Sequence, residues 1–150
     1  MRLQNTPRNQ ISMKILLDTN VVLDVLLARE PFVREAREIM ALVEYKEVQG
    51  YLCATSVTTI HYLMQRSTDK RQADSLIVTL LGLFEVASVS KETLYEASVH
   101  NGVDYEDSVI YAAAKGVEVD MIITRDSKGF KKSSVSVLSP EEFLAFWVLR

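Results

Sequence analysis

The chain has 150 residues, 48% hydrophobic and 25% charged, a globular balance that suits one domain with its own core. Its net charge of -3 argues against the basic surface that usually grips nucleic-acid phosphates, although a cluster of carboxylates makes any chain acidic. No apolar run is long enough to cross a membrane, residues 1–12 lack the apolar stretch of a secretory signal, and a lone cysteine excludes an intrachain disulfide. These features lead to the expectation of a cytoplasmic protein.

In chain order, residues 1–12 read as a flexible extension, and residues 13–150 as a single domain. Lys14 to Leu17 is a short apolar run ending at Asp18, the pattern of a buried strand. Apolar residues from Thr19 to Leu27 follow helical spacing. Pro31 suits a first helical turn, and a second helix is expected over 32–46. Tyr51 to Ala54, bounded by Gly50, reads as a strand, and Ser56 to Gln65 as a helix. Asp69 and Gln72 form a capping pair opening a helix that should stop before Gly82. Phe84 to Val89 is the third expected strand, and Ser90 caps a helix over 91–100. Val109 to Ala114 is apolar all round, which predicts a buried helix ending at Gly116. Strands are expected at Met121 to Thr124 and Val135 to Leu138. Ser139, Pro140 and Glu142 then mark a capped start for the last helix. Strands alternating with helices imply a three-layer α/β/α domain around a parallel sheet of about five strands, with ligands bound outside the carboxyl ends of the strands.

That edge gathers acids. Asp18 follows the first strand, Asp126 follows the fourth, and Asp107 opens the buried helix that leads to it. Each has an ordinary alternative: Asp18 as a helix cap, Asp104 and Asp107 as a cap and a first-turn acid, Asp126 as a turn residue. Together they favour a divalent cation, because crowded carboxylates repel and are costly to leave unpaired away from water. Mg²⁺ accepts a few carboxylate oxygens, polarises phosphoryl oxygens and lowers the pKa of a bound water, which is the chemistry of phosphodiester hydrolysis.

Three segments resemble PIN-domain motifs: Leu16-Leu17-Asp18-Thr19-Asn20-Val21-Val22-Leu23-Asp24 at the start, Asp104-Tyr105-Glu106-Asp107-Ser108 before the alanine-rich helix, and Ile122-Ile123-Thr124-Arg125-Asp126 with Phe130 after it. The resemblance covers about residues 13–146. It implies that Asp18, Asp107 and Asp126 hold Mg²⁺ or Mn²⁺, that the enzyme cleaves RNA, and that the chain is similar to VapC-like toxins with a cognate antitoxin. Asn20 and Thr124 would support the ligands. The chain departs from the family where a glutamate commonly follows the second strand, because Thr59 stands there. A hydroxyl can bond a metal-bound water but brings no charge. Either Asp104 or Glu106 supplies the missing charge or the site binds metal weakly, and a catalytically weak or inactive nucleic-acid-binding protein is the alternative reading.

Arg125, Lys128, Lys131 and Lys132 are either solvated loop charges or RNA-backbone contacts beside Asp126. His61 is expected to pack rather than ligate, and Cys53 to be a small buried hydrophobe. No glycine-rich phosphate loop follows the first strand. A receiver-like signalling domain would need an aspartate on the third strand, which carries only Glu85. Phe143, Phe146 and Trp147 are expected in the core, a homodimer contact being the alternative for part of that face.

Overall fold

Lys14–Leu17 forms the first strand, β1, and its side chains divide the molecule into layers. Ile15 and Leu17 enter one apolar cluster and Leu16 the other, the alternation a strand imposes when both faces are covered. The structure, a computed structural model, describes residues 12–150 except 101, 103, 131 and 132. The expected extension over 1–12 lies outside the described residues, Ser12 apart.

After β1 come α1 (Thr19–Leu26), α2 (Val33–Glu44), β2 (Gln49–Cys53), α3 (Ala54–Ser67), α4 (Lys70–Leu83) and β3 (Glu85–Ala87). Then follow α5 (Lys91–Val99), α6 (Tyr105–Gly116), β4 (Met121–Ile123), a 3-10 turn (Ser127–Phe130), β5 (Ser136–Leu138) and α7 (Pro140–Leu149). The five strands pair in parallel in the order β3-β2-β1-β4-β5, so the expected three-layer α/β/α architecture is observed. Helices α1, α2, α3, α4 and α7 supply the cluster on one face, and α5 and α6 the cluster on the other. The order differs from the 2-1-3-4-5 order of flavodoxin-like and receiver-like sheets.

The chain winds outward from β1 to β3 and returns to the other side of β1 with β4. The topological switch therefore lies between β1 and β4, and in open α/β sheets the carboxyl ends of the strands at such a point are where ligands bind. Leu17 is level with Ile123 in the register, and the Asp18 N–H donates to the Ile123 carbonyl at 2.9 Å. The ends of the two strands are thereby locked together.

Local signals survive well at capped starts. Asp69 caps α4 through the Gln72 N–H, Ser90 and Thr93 form a capping box on α5, and Ser139 and Glu142 form another on α7 behind Pro140. Glycine signals shift. Gly50 lies within β2 rather than bounding it, because Phe84 and Val43 press against its Cα; a Cβ there would stand 2.8 Å from both side chains. Gly82 and Gly116 remain inside the last turns of their helices. After α6 the left-handed residue is Glu118, with φ 57°, and after α2 it is Lys46, with φ 60°. Pro31 stands two residues before α2, whose N-cap is Phe32. Phe84 and Val89 flank a shorter β3, and α3 begins at Ala54, ahead of the expected Ser56.

Candidate active site

Asp18 is buried just past the carboxyl end of β1. It caps α1: Oδ1 accepts from the Thr19 N–H at 2.7 Å, and Oδ2 accepts from the Thr124 hydroxyl at 2.7 Å. The cap reading and the site reading of Asp18 are therefore compatible. Burial pushes its carboxyl above the ordinary aspartate value, with the charge of Asp126 adding to the push, against those two hydrogen bonds.

Asp107 is half-buried in the first turn of α6. Asp104 caps that helix by accepting from the Asp107 N–H at 3.0 Å. Burial and the charges of Asp18, Asp104, Asp126 and Glu106 raise the Asp107 carboxyl to about 7. Both neighbouring acids, Asp104 and Glu106, are exposed.

Asp126 is exposed just past β4. Its turn is held by Thr124, whose Oγ accepts from the Asp126 N–H at 3.0 Å while its own proton goes to Asp18. Asn20 bridges the same turn: its Oδ1 accepts from the Arg125 N–H at 3.3 Å, and its Nδ2 donates to the Thr124 Oγ at 3.5 Å. Asn20 and Thr124 thus bind the acid-bearing segments to each other.

Asp24, which has no assigned role in the sequence, completes this bracing together with Arg29 and Arg125. Asp24, fully buried on α1, accepts from Arg29 Nε at 2.9 Å and from Arg125 Nε at 2.6 Å and Nη2 at 3.1 Å. The Arg125 guanidinium also lies 3.8 Å from the centre of the Phe32 ring. An acid within the apolar run Val21 to Leu26 was the only sequence signal for this pair. Arg125 is therefore committed to the fold beside Asp126, whereas Lys128 is exposed on the 3-10 turn. Lys131 and Lys132 lie outside the described residues.

Thr59 is half-buried on α3, and its hydroxyl donates to the Thr55 carbonyl at 3.3 Å, one helical turn back. Ser56 is buried on the same helix and accepts from the Thr19 hydroxyl at 2.8 Å. His61 bonds Asp74 of α4 at 2.7 Å. Cys53 is fully buried at the end of β2, beside the Thr55 hydroxyl at 3.3 Å.

The acids at this edge offer oxygen donors only, the set that suits Mg²⁺ or Mn²⁺, and the raised carboxyls of Asp18 and Asp107 are groups a cation would relieve. The donor chemistry fits such an ion. Among the described residues, no three Asp, Glu, His or Cys side chains stand close enough together to form a ready-made metal cage.

The family profile of the PIN domain matches residues 14–128. A toxin–antitoxin complex from Klebsiella pneumoniae contains a similar fold at 19% identity, with a TM-score of 0.65 over 84% of this chain and 97% of that one. FitAB bound to a DNA fragment is similar at 22% identity and a TM-score of 0.61, over 84% of this chain and 94% of that one. VapC20 from Mycobacterium tuberculosis, a toxin that cleaves the sarcin–ricin loop, is similar at 15% identity and a TM-score of 0.61, over 77% of this chain and 92% of that one. No curated protein sequence matches the chain. No helix among the described residues is long and apolar enough to cross a membrane. With its three acidic motifs, its sheet order and a profile match over most of its length, this chain belongs to the PIN-domain family.

Proposed function

We propose that this protein is a divalent-metal-dependent ribonuclease that hydrolyses single-stranded RNA in the cytoplasm, as the toxin of a toxin–antitoxin pair. The observation that carries the reading is the placement of Asp18 and Asp126 at the ends of the adjacent strands β1 and β4, with Asp107 close enough that, after burial, their charges help raise its carboxyl to about 7. Bound Mg²⁺ or Mn²⁺ would polarise the phosphoryl oxygen and activate water. The chain's own work is positional. Thr124 fixes the Asp18 carboxylate by donating to it, and Asn20 ties the Asp126 turn to α1. Asp18, Asp107 and Asp126 are the ligands, with Asp104 or Glu106 assisting, and the exposed Lys128 meets the RNA backbone. The antitoxin assignment draws support from the similar FitAB and Klebsiella complexes.

A second reading, a PIN-like protein that binds nucleic acid without efficient cleavage, is favoured by Thr59. Its hydroxyl is turned to the helix backbone and adds no charge to the site. Cleavage of single-stranded RNA at several Mn²⁺ concentrations separates the two. The nuclease reading expects Mn²⁺-dependent cleavage that Asp18→Asn and Asp126→Asn each abolish. RNA binding without cleavage in the wild type would replace it with the second reading.

A further inference from the structure

We infer that Gly129 is a positioning residue of the acidic site, its missing side chain being the space in which the Asp107 carboxylate rests. An ideal Cβ at Gly129 would lie 1.8 Å from Asp107 Oδ2, 2.7 Å from its Cγ and 3.3 Å from its Cβ. The carboxylate thus lies directly on the glycine backbone. Gly129 has an ordinary negative-φ or extended conformation, because no described glycine has a positive φ, so its backbone does not require glycine. The requirement comes from close approach alone.

The placement has a reason in the fold. Phe130, the next residue, is buried in the apolar cluster with Val109, Ile110 and Ala113 of α6, and so pins the 3-10 turn across the start of that helix. Asp126, immediately before that turn, and Asp107, in the helix beneath it, are brought to one crevice by the same packing. A methyl group at 129 would leave Phe130 in place and push the carboxylate aside by more than about 1 Å, since nonbonded carbon contacts settle near 3.5 Å. Asp107 is the movable partner, being the free end of a side chain.

The inference deepens the nuclease reading and rests on it for the site's purpose, while the contact itself can be tested without metal. The experiment is a double-mutant cycle of Gly129→Ala and Asp107→Ala, read by metal-free thermal melting, with Mn²⁺ calorimetry on the wild type and Gly129→Ala. With Asp107 present, Gly129→Ala is expected to lower the melting temperature or leave it unchanged. With Asp107→Ala, the same change is expected to raise it, as glycine-to-alanine replacements do at compatible backbone. Mn²⁺ affinity is expected to fall about tenfold or more in Gly129→Ala, the usual loss when a ligand's support is removed. Equal melting shifts in both backgrounds would overturn the inference, and so would unchanged Mn²⁺ affinity in Gly129→Ala. A wild type that binds no Mn²⁺ would overturn the proposed function instead, and the metal-free cycle would then decide the role of Gly129 by itself.

Discussion

Replacing Asp24 by asparagine keeps the size and shape of a fully buried side chain and removes the charge that two arginines share. Three charge-assisted hydrogen bonds end on this carboxylate, at 2.9, 2.6 and 3.1 Å. Bonds to charged groups contribute about 1.5–3 kcal/mol each. An asparagine offers one acceptor oxygen and turns an NH₂ toward guanidinium hydrogens, so one direction is lost outright and the remainder weakens. Both arginines are partly exposed, at 38% and 28%, and recover some hydration, which keeps the loss toward the lower end of the range for a broken buried pair. The expected destabilisation is about 3 kcal/mol. At roughly 2–4 °C per kcal/mol for a chain near this size, the melting temperature should fall by about 6–12 °C. Calorimetric melting of the metal-free protein measures it directly. Arg125→Met should give a large part of the same loss, and the double variant less than the sum, because the sites share one contact. A drop below about 3 °C for Asp24→Asn, or full additivity with Arg125→Met, would refute the reasoning that this buried cluster braces the Asp126 turn.

Asp107 makes the metal-free protein less stable as pH rises. The folded chain holds the Asp107 proton up to about 7, whereas the unfolded chain releases it near the ordinary value of 3.8, so stability falls across that window. Asp107→Asn should flatten that part of the pH–melting profile and raise the melting temperature at pH 8; an unchanged profile would count against the crowding of acids at the crevice. Thr59→Glu should raise both Mn²⁺ affinity and RNA cleavage, measured by calorimetry and gel assay. Fully active wild type harmed by that change would mean that Asp104 or Glu106 already completes the site. Glu118→Gly should stabilise the protein by about 0.5–1 kcal/mol in urea melts, because a left-handed φ costs a non-glycine residue about 1–2 kcal/mol and added unfolded-state freedom returns part of that. A loss of stability there would mean that the Glu118 side chain makes a contact outweighing the strain.

Capped helix starts were legible because such a signal completes itself within four residues. The capping pairs at Asp69, Ser90 and Ser139 need only their own first turns, and all three form as read. Asp18 and Asp126 could be placed at one edge because parallel topology puts the strand ends there. What could not be read depends on which distant surface comes near. Gly50 looks like a strand boundary until Phe84 and Val43 arrive against it. Asp24 stands in the opening motif without a visible partner, and Arg125 reaches it from 101 positions away. Nothing in the sequence marks Gly129, whose contact with the Asp107 carboxylate only the fold creates. Arg125 reads in the sequence as a cation beside an acid, and periodicity has no means of showing that it also pairs with Asp24 and stacks on Phe32.

The middle position of β1 in the sheet also fixes an order of assembly during synthesis. One edge of β1 is paired by β2, which emerges about 35 residues later, as the register from Lys14 to Gln49 shows. Its other edge stays without a partner until β4 emerges, more than a hundred residues after β1. Asp18 meets Thr124 across 106 positions, and Asp24 meets Arg125 across 101. A ribosome-bound chain halted before Met121 therefore carries the first acid and half of its bracing, but neither the turn that bears Asp126 nor the hydroxyl that orients Asp18. Long-range closures of this kind come late in folding. The crevice is thus incomplete in the growing chain until the segment that bears Thr124 and Asp126 has left the exit tunnel.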